Sequence, residues 1–154
     1  MSDSTPKSIQ TSMNDVVIKD LICLEAGTGA GNMTRYLAKR GAKLIYSVSN
    51  NQEHLDFARS KLSDSEAKRV EFINADLCDL TFLSEGTIDL ITAHMLVSVV
   101  PPVELHSILW ELTRVAKKDS SIIINDYNPL SSYQMERSYL VEKLFRRLFN
   151  TFWF

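Results

Sequence analysis

The sequence predicts an α/β protein: a doubly wound, mostly parallel sheet of about five strands with helices on both faces. Three observations carry this. Short apolar runs alternate with amphipathic helical patterns between Asp20 and Asn125. The runs are continuous rather than alternating, as strands covered on both faces require. A glycine-rich turn separates the first run from the first helix, where open α/β sheets leave a crevice.

The elements follow in order. Residues 1–13 are polar and are expected to form a flexible tail, with 14–154 as one domain. Asp20 to Glu25 is the first apolar run, and Gly27 to Gly31 the turn. Asn32 to Arg40 has Met33, Tyr36 and Leu37 at helical spacing, and Gly41 ends it. Lys43 to Val48 is the second strand. Asn51 to Leu62 places Leu55, Ala58 and Leu62 on one helical face. Val70 to Ile73 and Asp89 to Ala93 are the next strands, and Ser121 to Asn125 the last. Between these, Pro102 to Ala116 is an amphipathic helix entered at Pro101-Pro102. Lys117, Lys118 and Asp119 read as a turn. Ser132 to Phe149 reads as a final helix, with Leu140, Leu144 and Leu148 one turn apart.

Composition narrows the function. The chain has 154 residues, 45% hydrophobic and 23% charged, with a net charge of −2. That length suits one domain that needs no disulfide or metal staple. Seventeen basic residues against nineteen acidic ones leave no overall basic field for nucleic acid. Cys23 and Cys78 do not make a disulfide framework, and no Cys/His spacing suits a metal. The polar start lacks a secretory h-region, and no apolar run reaches the roughly 20 residues of a membrane span. A cytoplasmic setting is the expectation.

The most informative segment is Glu25-Ala26-Gly27-Thr28-Gly29-Ala30-Gly31. Glycines there let a ligand approach the backbone, and the following helix offers free N–H groups. Glu25 stands where it can meet a ligand ammonium. A tight turn without a ligand is the alternative reading. The spacing is GxGxG, and Asn32 replaces the last glycine of a dinucleotide fingerprint, which argues against a nicotinamide-dependent oxidoreductase.

This loop, with VEFINADLCDLTF, IDLITAHMLVSVVPP and ILWELTRVAKKDSSIIIND after it, resembles the class I S-adenosylmethionine-dependent methyltransferases. The likeness covers about Leu21 to Asp126 and implies a Rossmann-like core with S-adenosylmethionine as cofactor. By resemblance, Glu25 contacts the methionine part of the cofactor, directly or through water, and Gly27, Thr28, Gly29 and Gly31 line it. The family's ribose-binding acid falls at Ser49, a departure, since serine cannot replace a carboxylate's two charge-assisted acceptors. Asn50 or Asn51 takes over part of that task. Asp76 matches the acid that accepts from the adenine amino group, and Leu77 the neighbour whose N–H meets the ring. Ala93 lies beside the expected methyl group.

His94 is the one histidine near that mouth. It either orients or deprotonates an acceptor, or simply packs beneath the cofactor. Asp126, Tyr127 and Asn128 follow the last strand, where substrate groups can lie. His54 and His106 read as surface histidines, and Asp79 as a capping acid. The acceptor is expected to be a small molecule.

The family's usual C-terminal hairpin has no counterpart before Phe154, and the apolar run from Leu144 onward suggests a face to be covered. An incomplete domain, a homo-oligomer or partner chain, and a membrane-surface contact are the alternatives. The competing function is a methyltransferase-like binding or scaffold subunit without catalysis.

Overall fold

A computed structural model describes residues 5–126. Its elements are α1 (Lys7–Ser12), β1 (Ile22–Ala26), α2 (Asn32–Lys39), β2 (Leu44–Ser49), α3 (Gln52–Ser60), α4 (Asp64–Ala67), β3 (Val70–Asn74), β4 (Ile88–His94), α5 (Pro102–Val115) and β5 (Ala116–Asn125). The five strands form one sheet in the order β3-β2-β1-β4-β5. Every neighbouring pair is parallel. Strand order therefore reverses between β1 and β4, the switch point at which such sheets open a crevice beyond their carboxyl ends.

Alternation along each strand feeds two cores. In β1, Leu24 and Ala26 join Ile91 of β4 and Ile108, Leu112 and Val115 of α5. Cys23 points the other way, with Ile45, Leu90 and the α2 residues Met33, Tyr36 and Leu37. Both faces are covered, which is why the runs read as continuous.

Two local expectations are corrected, and one short helix is added. Residues 1–13 are not a free tail along their described length. Residues 7–12 form α1, and Ile9 and Met13 are buried in the α2-side core. Only two apolar residues in a polar segment carry that docking, so composition masked it. Lys117, Lys118 and Asp119 are not a turn. The chain passes from α5 into β5 at Ala116 without a loop, and the register shifts between Ile88 and Leu90. Lys117 there pairs with Asp89, which also accepts from the Ile22 N–H at 2.9 Å. The single-turn α4 was not foreseen; a capping box between Ser63 and Glu66 makes it. Pro101 and Pro102 do open α5. The helix expected over 132–149, the apolar terminus, Tyr127 and Asn128 lie outside the described residues.

Candidate cofactor and acceptor site

Beyond the carboxyl ends of β1 to β4 lies a cavity of about 610 Å³, within the range of small-molecule sites. Of the residues singled out above, Glu25, Gly27, Thr28, Gly29, Ser49, Asn50, Asp76, Leu77 and His94 line it. Gly31 and Ala93 do not. Ala93 is buried in the sheet core.

The glycines divide the work. A Cβ on Gly29 meets nothing within 4 Å, so that position faces open space. A Cβ on Gly31 would lie 2.5 Å from Ala58 Cβ, so its lack of a side chain lets α2 pack on α3. Gly31 is also the N-cap of α2, at φ 72°.

Glu25 lines the cavity yet is buried. It is 2% exposed, and its carboxylate is turned into a cluster of hydroxyls. Thr34 donates to it from both its N–H, at 3.2 Å, and its hydroxyl. Ser47 donates at 2.7 Å, and the Thr28 and Ser47 hydroxyls meet at 2.9 Å. The register explains this: Glu25 stands opposite Ser47 on one side and Thr92 on the other. Thr92 Oγ1 is buried without a partner among the described residues. Burial pushes the Glu25 carboxyl up to about 7 against the opposing pull of Thr34 and Ser47.

The β2 end is differently arranged. Ser49 Oγ accepts from the Asn51 N–H at 3.1 Å. Asn51 caps α3, accepting from the Glu53 and His54 N–H groups, so its side chain is committed. Asn50 is exposed and lines the cavity. At the β3 end, Asp76 Oδ1 accepts from the Cys78 N–H at 2.8 Å, which fixes the turn carrying Leu77. His54 also lines the cavity, whereas Asp79 caps its own turn through the Thr81 N–H.

At the β4 end, His94 Nε2 lies 3.4 Å from Ser8 Oγ, and Nδ1 is buried without a partner among the described residues. Burial holds this imidazole below its ordinary range, with the Asp126 charge opposing. Asp126 accepts from the Ser98 N–H at 2.9 Å. Met95, at φ 59°, is a non-glycine residue in the left-handed region.

The remaining wall was not anticipated. It comes from Ser8 and Ile9 of α1 and from the β4–α5 turn, including Val99 and Val100. The four-residue spacing of Ile9 and Met13 was its one sequence signal. Burial pushes the Cys23 thiol up to about 12, and burial with the neighbouring Asp76 pushes the Cys78 thiol up to about 11. Among the described residues, no group of three His, Cys, Asp or Glu could hold a metal, and no helix is long and apolar enough to cross a membrane.

A family model described as a methyltransferase domain matches residues 23–119, more than half of the sequence. The chain belongs to the methyltransferase domain family. Among solved structures, an S-adenosylmethionine-dependent methyltransferase from Aquifex aeolicus is 21% identical with a TM-score of 0.72, over 93% of this chain and 79% of that one. A protein solved in complex with the Haloferax volcanii Trm112 methyltransferase activator is 17% identical, TM-score 0.76, over 96% and 68%. A Haemonchus contortus phosphoethanolamine N-methyltransferase, solved with phosphoethanolamine and S-adenosylhomocysteine, is 15% identical, TM-score 0.69, over 80% of this chain but 26% of its own. At such identities the likeness is one of fold. No curated protein sequence matches significantly.

Proposed function

We propose that the chain is an S-adenosylmethionine-dependent methyltransferase with a small-molecule acceptor. The supporting observation is the convergence of Gly27, Gly29, Asn50, Asp76 and Leu77 on one cavity at the switch point. Its residues suit the cofactor. Gly29 leaves open space against the backbone, Asp76 offers a carboxylate for an adenine amino group, and Leu77 offers its N–H for the ring. Asn50, unlike Asn51, faces the cavity and takes the ribose hydroxyls. Glu25 acts at one remove: it ties β1, β2 and α2 together beneath the loop, and its charge favours a nearby ammonium. When bound, S-adenosylmethionine supplies an electrophilic methyl carbon, so the protein's task is to align the acceptor with it and exclude water.

A second reading, a non-catalytic binding subunit, is favoured by Ser49, whose hydroxyl is engaged by Asn51 rather than facing two ribose hydroxyls. The Haloferax neighbour, solved with a methyltransferase activator, is a precedent for a protein partner under either reading.

Calorimetry with S-adenosylhomocysteine tests the site. Saturable binding is expected, with NADH inert. Asp76→Ala loses about tenfold or more, the worth of one or two charge-assisted hydrogen bonds. No binding to a chain that is folded by circular dichroism refutes the proposal. Transfer of a labelled methyl group separates enzyme from binding subunit.

A further inference from the structure

The cofactor residues occupy one arc of the cavity, from the glycine loop to Leu77. The opposite wall is of another character. Ile9, Met95, Val99, Val100 and Ile108 make it apolar, and His94 is set among them. Val99 stays 71% exposed at its edge, so an apolar ligand there gains cover it now lacks.

One ring nitrogen of His94 has a hydroxyl within reach. Nε2 faces Ser8 Oγ at 3.4 Å, a long contact, and Ser8 itself lines the cavity. The Ser8 hydroxyl thus marks a place beside Nε2 that a ligand hydroxyl can take. The Asn125 side-chain amide donates to the Ser8 carbonyl at 3.3 Å, seating α1 across the ends of β4 and β5. Beside His94, the Met95 N–H donates to the Asn125 carbonyl at 2.6 Å while Met95 holds a strained φ. Such strain persists where surrounding structure enforces a position.

We propose that this wall is the acceptor compartment, that it takes an apolar, ring-bearing small molecule with an acidic hydroxyl (a phenol), and that His94 removes the hydroxyl proton. The inference rests on the cofactor reading above. The proton passes from the phenol oxygen to His94 Nε2. The oxygen's electron pair forms the bond to the methyl carbon, and the carbon–sulfur pair stays with sulfur. The products are a methyl ether, S-adenosylhomocysteine and an imidazolium that returns its proton to solvent. A phenol titrates near 10, within reach of an imidazole acting in the transition state. An amine acceptor arrives as an ammonium ion and asks for a carboxylate. Glu25 is turned away into its hydroxyl cluster, and Asp126 accepts from Ser98. Glu104 also lines the cavity, but from the exposed first turn of α5, where its backbone carbonyl meets Cys78 Sγ at the cofactor end. The titratable side chain set among the apolar residues of this wall is His94.

The test uses the full chain with ring-labelled histidine and saturating S-adenosylhomocysteine. It is titrated with 4-propylphenol, 4-propylanisole and 4-propylbenzylamine. The phenol is expected to shift the His94 ring resonances, assigned with His94→Gln, while the anisole binds without that shift. With S-adenosylmethionine, labelled methyl appears on the phenol oxygen, and His94→Gln lowers the rate about 100-fold with S-adenosylhomocysteine affinity within twofold of the parent. Phenol binding that leaves His94 unmoved, preferential methylation of the amine, or full activity of His94→Gln overturns the inference while leaving the cofactor reading intact. Failure of S-adenosylhomocysteine to bind overturns that reading and the inference together.

Discussion

Glu25→Gln probes the buried acid beneath the glycine loop. In the folded chain its carboxyl is pushed from its ordinary 4.5 up to about 7, first by burial, with Thr34 and Ser47 opposing. Below pH 4.5 the folded and unfolded chains hold this proton equally. Between 4.5 and 7 the unfolded chain releases it and the folded chain keeps it, so stability falls as pH rises. At about 1.4 kcal/mol per pH unit, the loss amounts to about 3 kcal/mol and levels off above pH 7. Glutamine cannot ionise, so the variant lacks this decline. Its stability at pH 8 then equals or exceeds the parent's, less about 1 kcal/mol for hydrogen bonds that an amide places less well. Urea unfolding at half-unit steps from pH 4 to pH 8 measures both curves. Parallel curves for parent and variant would refute the reasoning, because they would mean that Glu25 ionises normally in the fold. The same linkage makes a cationic ligand bind more tightly above pH 7, where the carboxylate is already charged.

Other perturbations have equally definite outcomes. Ile9→Ala is expected to cost about 2–4 kcal/mol in urea unfolding, because Ile9 is 2% exposed; a free tail would show no change. Gly31→Ala puts a methyl 2.7 Å from the Ala58 backbone at a positive φ and is expected to cost about 2–4 kcal/mol. Urea midpoints unchanged in Gly31→Ala would remove that glycine from the α2–α3 contact. Glu111→Gln loosens the acid that accepts from the Leu80 N–H at 2.7 Å and pairs with Arg114, at about 2 kcal/mol. Arg114 first, then the Leu80 N–H, holds Glu111 below its ordinary range. The parent therefore loses this contribution as pH falls through that lowered value, and the variant's acid unfolding limb is flatter.

Much of the sheet was legible because both of its faces are covered. Strands such as Ile22–Ala26 and Ile88–His94 then carry apolar residues on both faces, as at Cys23 and Leu24 or Leu90 and Ile91, and such runs stand out between amphipathic helices. Pattern fails where few residues do the packing. Residues 7–12 look like tail because Ile9, with Met13 just beyond, carries the docking of α1. Lys117, Lys118 and Asp119 look like a turn because all three are charged, yet among the described residues the strand is the sheet's edge and Lys117 finds Asp89.

The site shows a deeper limit. A motif gives chain position, not the direction in which a side chain leaves the backbone. Glu25 was legible as the acid before the glycines, but its orientation follows from register. Parallel pairing sets Ser47 and Thr92 on either side of it, and α2 brings Thr34 over the top. With hydroxyls already filling its coordination, it serves the loop before it serves a ligand. The glycines divide for the same reason. Gly29 faces the cavity and Gly31 faces Ala58, although both belong to one GxGxG pattern. Both sit at a positive φ, so a side chain at either carries a backbone cost. At Gly31 a clash with Ala58 is added and the loss falls on stability, whereas at Gly29 (φ 47°) the side chain meets open space beside the cavity and the loss falls on binding as well.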